Sequence, residues 1–316
     1  MKDKIKLITV VGPTASGKTK LGVELCKRYG GEVISADSMQ IYKGMQIATA
    51  KPSEEEKQGI PHHLMDFLPP DQTYSVSSFV SDAKKCIEDI TSRGNLPVIV
   101  GGTGLYIDSL LNNISFYDKQ RSTEISDSLR ELYNSEGIDK LLEILKEIDS
   151  ESYERLKTER NPKRIIRAIE FYKTTGVTIT EQNKNSRLEE SPYAPVKLGI
   201  NFENRQTLYD RINKRVDLML KNGLLEEAER VYNSDLSFTS VKAIGYKELF
   251  PYFKGELSLD ECVEKLKMET RRYAKRQITW FKRDKAINWL YPDKVNSFEE
   301  LFSQAVQITD KGLING

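Results

Sequence analysis

A glycine-rich loop between an apolar run and a helical pattern constrains the fold of this chain more than any other feature. The loop reads GPTASGKT over residues 12–19 and matches the pattern G-x-x-x-x-G-K-[S/T]. The run from Leu7 to Val11 before it is largely apolar and β-branched, as in a buried parallel strand. After the loop, Leu21, Leu25 and Cys26 recur at helical spacing. The order strand, loop, helix predicts a phosphate-binding loop.

Such a loop holds a di- or triphosphate for a physical reason. Its glycines let backbone N–H groups face an oxyanion, and the start of the following helix adds positive charge. The Lys18 ammonium would reach phosphate oxygens, and the Thr19 hydroxyl would hold a magnesium ion. The flanking strand and helix disfavour the alternative, a glycine-rich turn without a ligand. The expected phosphate contacts are Gly12, Pro13, Thr14, Ala15, Ser16, Gly17, Lys18 and Thr19.

The alternation of strands and helices predicts the fold class, which is α/β. The strand patterns cover residues 5–11, 32–36, 97–100 and 196–202, and an amphipathic helix pattern covers residues 76–93. We expect a P-loop NTPase-like parallel sheet flanked by helices, with ligands at the carboxyl ends of the strands. Because Lys18, Asp37 and Thr103 each follow a strand end, they should converge in one cleft.

A helical excursion interrupts this core. We expect a P-loop α/β core over residues 1–115, a helical insertion over residues 116–190, and residues 191–316 to complete the core and add a helical C-terminal region. In the insertion, Asn161 and Pro162 form a helix start and Gly176 a helix stop. The spacing of Arg160, Arg164 and Arg167 predicts one shared face around that helix start.

Composition limits the location of the protein. The 316 residues include 38% hydrophobic residues and no apolar run long enough to cross a membrane, and the N-terminal apolar run is too short for a signal peptide. Cys26, Cys86 and Cys262 are isolated in sequence, so no disulfide framework or cysteine zinc site is indicated. The adjacent His62 and His63 lack the spacing of a helical metal pair. A cytoplasmic protein without a membrane partner is expected.

Two basic segments indicate a polyanionic partner, although the net charge is only +1. Residues 270–285 contain seven Lys or Arg against one Asp, interleaved with Tyr273, Trp280 and Phe281. Residues 157–173 contain six basic residues against two acidic ones. Basic residues mixed with aromatic ones suit a polyanion whose bases can stack. Two solvated helix faces are the alternative.

Residue chemistry alone leaves the reaction open. The third strand ends in Gly-Gly-Thr-Gly rather than in the Asp that helps to hold magnesium in most P-loop NTPases, and no guanine-binding signature is present. A phosphate loop opposite Asp37 fits phosphoryl transfer. It fits equally well a displacement in which pyrophosphate is the leaving group.

Six motifs together resemble those of one enzyme family. They are GPTASGKT at 12–19, ISADSMQIYKGMQIATAKP at 34–52, IPHHLMD at 60–66, GGTGLY at 101–106, KAIGYKE at 242–248 and TRRYAKRQITWFKRD at 270–284. In this order, over residues 5–290, they look like the tRNA dimethylallyltransferases, the bacterial tRNA isopentenyltransferases. Plant-type adenylate isopentenyltransferases share the early motifs, but the last motif is similar to the tRNA-acting branch. The zinc finger of eukaryotic members is missing here, so no metal-assisted grip on tRNA is expected.

The resemblance implies a specific reaction. A dimethylallyl group would pass from dimethylallyl diphosphate to the N6 amine of the adenosine 3′ to the anticodon, releasing diphosphate. Asp37, Thr103 and Arg211 would be the catalytic residues, with Arg215 as a second candidate for contacting the diphosphate. Asp37 would accept a proton from the amine, and Thr103 would hydrogen-bond beside the reacting centre. Mg²⁺, held by Thr19, is the implied cofactor.

The resemblance also implies that the anticodon stem-loop of tRNA is the partner. A tRNA footprint this extended suits a monomer. The target base is stacked in that loop, so it must be extruded to reach the cleft. The implied tRNA contacts are Asp37, Ser38, Met39, Gln40, Asn161, Pro162, Lys163, Arg164, Ile165, Lys242, Tyr246, Arg271, Arg272, Lys275, Arg276 and Gln277.

Structural explanations compete with several of these roles. Asp37 could merely cap a turn, Gln40 and Tyr42 could be packing residues, and Arg211 and Arg215 could be surface charges. For the whole protein, the alternatives are a small-molecule P-loop kinase, an adenylate isopentenyltransferase, or a nucleotide-gated RNA-binding protein without chemistry.

Overall fold

The chain forms two compact units in a computed structural model that describes residues 4–114, 122–186, 190–234 and 239–315. Met1–Leu111 and Pro192–Gly316 form the first, here named the α/β unit, and Asn112–Ser191 form the second, the helical unit. The expected insertion, residues 116–190, falls inside the helical unit. Within the described part of the chain, every helix is too short or too polar to pass through a lipid bilayer.

A six-stranded parallel sheet is the centre of the α/β unit, which confirms the predicted fold class. Its order is β3-β2-β4-β1-β5-β6. The strands are β1 Ile5–Val11, β2 Gly31–Ala36, β3 His62–His63, β4 Leu96–Gly101, β5 Tyr193–Ile200 and β6 Asn288–Leu290. The central β1 pairs with both β4 and β5, with Ile8 opposite Val98 and Val196. Because helices cover both faces of a parallel sheet, its strands read as continuous apolar runs.

Thirteen α-helices lie in the described residues. They are α1 Lys18–Tyr29, α2 Glu54–Lys57, α3 Val76–Ser92, α4 Gly104–Leu111, α5 Thr123–Ile148, α6 Ser150–Glu159, α7 Pro162–Thr175, α8 Ile179–Asn185, α9 Arg205–Lys221, α10 Leu224–Tyr232, α11 Phe250–Phe253, α12 Leu259–Phe281 and α13 Phe298–Asn315. In the α/β unit, Leu21 and Leu25 of α1 pack with Val10 and Val98 in the core of the sheet. This packing fixes the phosphate loop at the carboxyl end of β1.

The short edge strands differ from the sequence-based expectation. β3 lies within residues 43–70, where four prolines predict a loop with at most one short helix, and β6 was not expected. With two and three residues, neither strand is long enough to show alternation, and each owes its conformation to the neighbouring strand, β2 or β5. β5 also begins three residues before the predicted start at residue 196.

The helical unit has its own apolar core, formed by residues of α5, α6 and α7. The α5 segment is interrupted at Gly137, whose φ of 81° is not helical. The Asn161 side chain accepts hydrogen bonds from the backbone N–H groups of Lys163 and Arg164, and α7 ends at Gly176 with a φ of 74°. The predicted start and stop of this helix are therefore confirmed.

A second apolar cluster of the α/β unit positions the chain after β2. Ile41, Tyr42 and Met45 are buried against residues of α9, α10 and α12, including Val216 and Leu266. The segment after Asp37 is therefore held against the helices that follow β5.

Candidate active site

The phosphate loop has the backbone conformation that an anion site requires. Only glycine fits at position 12, because a Cβ there would lie 2.5 Å from the Ile200 carbonyl oxygen. Gly17, with a φ of 96°, precedes α1 without a side-chain cap, so the first N–H groups of the helix point to the loop. The Ser16 Oγ atom is buried and has no hydrogen-bond partner within the described residues. An oxyanion in the loop would satisfy it.

Lys18 is held close to the loop. Its Nζ donates a hydrogen bond to the Pro13 carbonyl oxygen over 2.6 Å. Burial, together with the nearby Arg215 cation, lowers the pKa of Lys18 to about 7, and Asp37 opposes this shift. A bound anion would compensate the charge that this environment otherwise disfavours.

The ends of β2 and β4 are joined beside this lysine. The Asp37 Oδ1 atom accepts a hydrogen bond from the Met39 N–H over 2.9 Å. The Ser38 N–H donates to the Thr103 hydroxyl over 3.1 Å. Asp37 therefore does cap a turn, and this structural role exists alongside any catalytic one.

A cavity of about 380 Å³ brings these groups together. Its polar lining includes Thr14, Lys18, Thr19, Asp37, Arg215 and Gln277. Its apolar lining includes Ala48, Ile212, Val216, Met219, Ala243 and Leu266. As predicted, Lys18 and Asp37 meet in one cleft, and Thr103 is hydrogen-bonded to Ser38 of its lining. The arrangement can hold a charged group and a small hydrocarbon side by side.

The two arginines of α9 have different surroundings. Arg215 lines the cavity and is half-buried, and this burial lowers its pKa. Arg211 is more exposed, and its Nε donates to the Ala15 carbonyl oxygen over 2.9 Å. Arg215 is thus placed to contact a ligand, whereas Arg211 holds the phosphate loop from outside.

Gln40 and Tyr42 also have different surroundings. Gln40 lines the cavity, but its side chain also accepts from the Ser35 hydroxyl and donates to the carbonyl oxygens of Thr49 and Ala50. Tyr42 is buried in the apolar cluster, so it is a packing residue.

The basic residues of α12 have unequal access to solvent. Arg272, Lys275 and Arg276 are exposed, and Arg276 also lines the cavity. Arg271 is half-buried and donates to the Asn213 side chain over 2.7 Å. Gln277 is only 5% exposed, so it is a buried residue rather than part of the solvated face.

Tyr246 and Ile165, two of the implied tRNA contacts, are fully buried at 0% exposure. Ile165 belongs to the apolar core of the helical unit. The Tyr246 hydroxyl donates to Glu227 over 2.8 Å. Their side chains are not accessible to RNA, and both have structural roles. The side chain of Lys242 lies outside the described residues.

In the helical unit, the expected basic face is only partly formed. Lys163 and Arg164 are exposed at the start of α7, with Asn161 and Pro162 half-buried beside them. Arg160 instead ends α6 with a φ of 45° and pairs with Asp139 over 2.8 Å. The prediction of one face shared by the three arginines was therefore wrong, because a change of helix separates Arg160 from α7.

Three residues of the site were missed from the sequence. Lys247 and Tyr273 line the cavity and lie within recognised motifs. The buried Glu227 carboxylate accepts hydrogen bonds from the N–H groups of residues 46, 47 and 48 and so holds the segment that lines the apolar wall. Its sequence signal is a carboxylate on the apolar face of α10, between Leu224 and Val231.

The atoms around Thr19 suit a hard cation. The Thr19 hydroxyl and the Asp37 carboxylate line the same cavity and offer oxygen ligands, the type that Mg²⁺ prefers. Within the described residues, no group of three or more His, Cys, Asp or Glu side chains could form a complete metal cage. His62 Nδ1 contacts the Ile60 carbonyl oxygen, and His63 Nε2 contacts the Glu32 carboxylate.

Comparisons with known proteins agree with these features. A family model described as IPP transferase matches residues 40–284, and one described as isopentenyl transferase matches residues 5–67. The tRNA dimethylallyltransferase of Thermoanaerobacter sp. (strain X514) is 49% identical over 302 residues, covering 94% of this chain and 95% of that protein. The protein of the same name from Acetivibrio thermocellus is 47% identical over 297 residues, covering 93% and 94%.

Solved structures show the same fold. The full-length tRNA isopentenylpyrophosphate transferase from Bacillus halodurans matches with a TM-score of 0.72 and 39% identity, covering 98% of each chain. A eukaryotic dimethylallyltransferase acting on tRNA matches with a TM-score of 0.77 and 30% identity, covering 91% of this chain and 74% of that one. The chain therefore belongs to the IPP transferase family.

Proposed function

We propose that this protein transfers a dimethylallyl group from dimethylallyl diphosphate to the N6 amine of the adenosine 3′ to the anticodon in tRNA, releasing diphosphate. The observation that carries the proposal is the cavity in which the phosphate loop adjoins an apolar wall. The polar lining suits the diphosphate, and the apolar lining suits a five-carbon hydrocarbon group. Membership of the IPP transferase family favours diphosphate release over phosphoryl transfer, which residue chemistry alone left open.

The loop stabilises the leaving group. As the C1–O bond breaks, negative charge grows on the diphosphate and positive charge on the allyl carbon. Lys18 and Arg215, which line the cavity, and the N–H groups at the start of α1 would stabilise that negative charge. Groups fixed in place before the reaction stabilise this charge more than water does, because they need no reorganisation. Thr103, whose hydroxyl accepts a hydrogen bond from the Ser38 N–H, would hydrogen-bond beside the reacting centre.

Asp37 is the proton acceptor in this scheme. A carboxylate is a weak base for a neutral amine. It becomes adequate once the nitrogen has begun to bond to carbon and its protons have become acidic. Proton transfer is therefore late, and before it Asp37 orients the amine.

Thr19, with Asp37 nearby, would hold a magnesium ion. The ion would supply Lewis-acid stabilisation of the diphosphate oxygens. The side chains of Lys18 and Arg215 supply the complementary fixed positive charge.

The RNA substrate is proposed from the names of the relatives and from exposed positive charge. The adenosine leaves its stack to enter the cavity, at a cost of a few kcal/mol. Its flanking nucleotides and backbone would contact residues of both units. In the α/β unit these are Ser38, Met39, Gln40, Arg271, Arg272, Lys275, Arg276 and, from the resemblance, Lys242. In the helical unit they are Asn161, Pro162, Lys163 and Arg164. We place this monomeric enzyme in the cytoplasm, where its three free cysteines would stay reduced.

Two labelled substrates test the proposal directly. The protein is incubated with unmodified tRNA and either dimethylallyl diphosphate labelled in the hydrocarbon or ATP labelled in the γ-phosphate. We expect label in tRNA from the first donor only. Transfer of the γ-phosphate to tRNA or to any member of a nucleoside panel, without prenyl transfer, would contradict it.

A further inference from the structure

Gln277 uses both ends of its carboxamide inside the protein. Its Oε1 accepts a hydrogen bond from the Thr14 backbone N–H over 2.9 Å. Its Nε2 donates to the Gly102 carbonyl oxygen over 3.0 Å. One buried side chain of α12 therefore joins the phosphate loop to the turn that follows β4.

The surroundings of Gln277 are shaped to admit it. A Cβ on Gly102 would lie 2.1 Å from the Gln277 Nε2 atom, so this position must be glycine for the contact to form. One helical turn earlier, Tyr273 lines the cavity together with Gln277. One turn later, the Trp280 Nε1 atom donates to Asp108 over 2.7 Å. Gln277 and Trp280 thus fasten α12 to the β4–α4 turn and to α4.

We propose that Gln277 is a positioning residue for the diphosphate donor and not a contact for RNA. It fixes the peptide of Thr14, which directs the N–H groups that follow in the glycine-rich loop. Since the Thr14 N–H is already bonded to Gln277, the diphosphate is held by the later N–H groups and by Lys18. This inference rests on the proposed function and replaces the tRNA contact expected of Gln277 from the resemblance.

The test compares affinity for the donor with affinity for RNA. Gln277→Met keeps the approximate length and volume of the side chain but removes both hydrogen bonds, leaving the Thr14 N–H and the Gly102 carbonyl without partners. We expect roughly a tenfold rise in KM for dimethylallyl diphosphate and a similar loss of inorganic pyrophosphate affinity, measured by calorimetry. The KM for tRNA should stay within about twofold of wild type, as the lost bonds are internal. Thr279→Ala, an exposed change on the same helix, should alter none of these quantities.

A second variant approaches the contact from the other side. Gly102→Ala should displace the Gln277 carboxamide and weaken pyrophosphate binding to a similar extent. In the Gln277→Ala background the added methyl group has room, so the double variant should bind pyrophosphate within about twofold of Gln277→Ala alone. Independent sites would instead give multiplied losses.

The outcomes separate this inference from the proposed function. A Gln277→Met protein that raises the KM for tRNA while keeping wild-type affinity for pyrophosphate would overturn the positioning role. Multiplied losses in the double variant would overturn it as well, and this comparison stands if Gln277→Met does not fold. Pyrophosphate binding needs no turnover, so it tests Gln277 even if the wild-type protein modified no tRNA, a result that would count against the proposed function alone.

Discussion

Asp37 caps a turn and is also the proposed proton acceptor, and a substitution to alanine would not separate these two roles. Its Oδ1 atom accepts the Met39 N–H, and the residue also lines the cavity. Removing the side chain would disturb the turn as well as the chemistry. Asparagine keeps an oxygen for the Met39 N–H but removes the carboxylate, so it separates the two roles.

We expect Asp37→Asn to lower kcat for tRNA prenylation by about 10²–10⁴-fold, because a positioned proton acceptor contributes on this scale. Binding of tRNA should be nearly unchanged, as should the thermal unfolding midpoint. Single-turnover kinetics and a filter-binding assay measure both quantities. If Asp37 were only a turn cap, the Asn variant would keep wild-type kcat.

Arg211 and Arg215 of α9 offer a matched pair of substitutions. Arg215 lines the cavity, whereas Arg211 holds the Ala15 carbonyl oxygen from a more exposed position. We expect Arg215→Gln to reduce kcat/KM for the donor by about 10²–10³-fold, the typical effect of removing one fixed charge-stabilising donor. Arg211→Gln should reduce it by about tenfold, through one lost hydrogen bond. The reverse order in steady-state kinetics would assign the diphosphate contact to Arg211.

Among the secondary structure elements, β2 links the site to the stability of the sheet. Asp37 follows its carboxyl end, and Glu32 lies near its start with a side chain only 4% exposed. The Glu32 carboxylate is hydrogen-bonded by Arg93, by Asn95 over 2.7 Å and by His63 of β3 over 2.6 Å. This network satisfies a buried charge and ties β3 and the turn before β4 to β2.

The network predicts a pH-dependent stability. The hydrogen bonds from Arg93 lower the pKa of Glu32 to about 2, with His63 and Asn95 contributing and burial opposing. Since the folded-state pKa lies below the unfolded one, the stabilisation is full above about pH 4.5 and is lost as the pH falls toward 2. We expect Glu32→Gln to lower the free energy of unfolding by up to about 3 kcal/mol at pH 7 and by less at pH 3. Urea unfolding at both pH values measures this, with the exposed Glu88→Gln as control; equal losses at pH 7 and pH 3 would contradict it.

Features of the molecule with a local sequence signal could be predicted, whereas features that depend on contacts between distant residues could not. The phosphate loop, the central strands and the start of α7 each carry their signal within a few residues, and all were predictable. The partners of Gln277 and Glu227 could not be foreseen, because Thr14 and the backbone of residues 46–48 lie far from them in sequence. Tyr246 was misjudged for the same reason, since it packs in an apolar cluster with residues distant in sequence and its hydroxyl donates to Glu227. Motif membership therefore identified residues near the site without distinguishing ligand contacts from internal supports.

The exposed basic residues of α12 give a prediction for tRNA binding. Arg272 and Lys275 are exposed on one helix and are proposed to contact RNA phosphates. Replacing both with Gln should weaken tRNA binding and reduce the slope of log K against log salt concentration by about 1.4–1.8, from two lost phosphate contacts. Fluorescence anisotropy at several salt concentrations measures the slope, with the exposed Lys85→Gln as control. An unchanged slope would place the RNA elsewhere.

In the proposed function, the phosphate loop holds a leaving diphosphate while a tRNA adenosine takes the hydrocarbon. Mass spectrometry of nucleosides from an unmodified tRNA transcript, treated with the protein, magnesium and dimethylallyl diphosphate, tests it most directly. We expect one adenosine per tRNA, the one 3′ to the anticodon, to gain the mass of a single C5H8 unit, and the Lys18→Ala protein to yield none. Unchanged adenosine throughout the transcript, or the same product from Lys18→Ala at the wild-type rate, would contradict the claim.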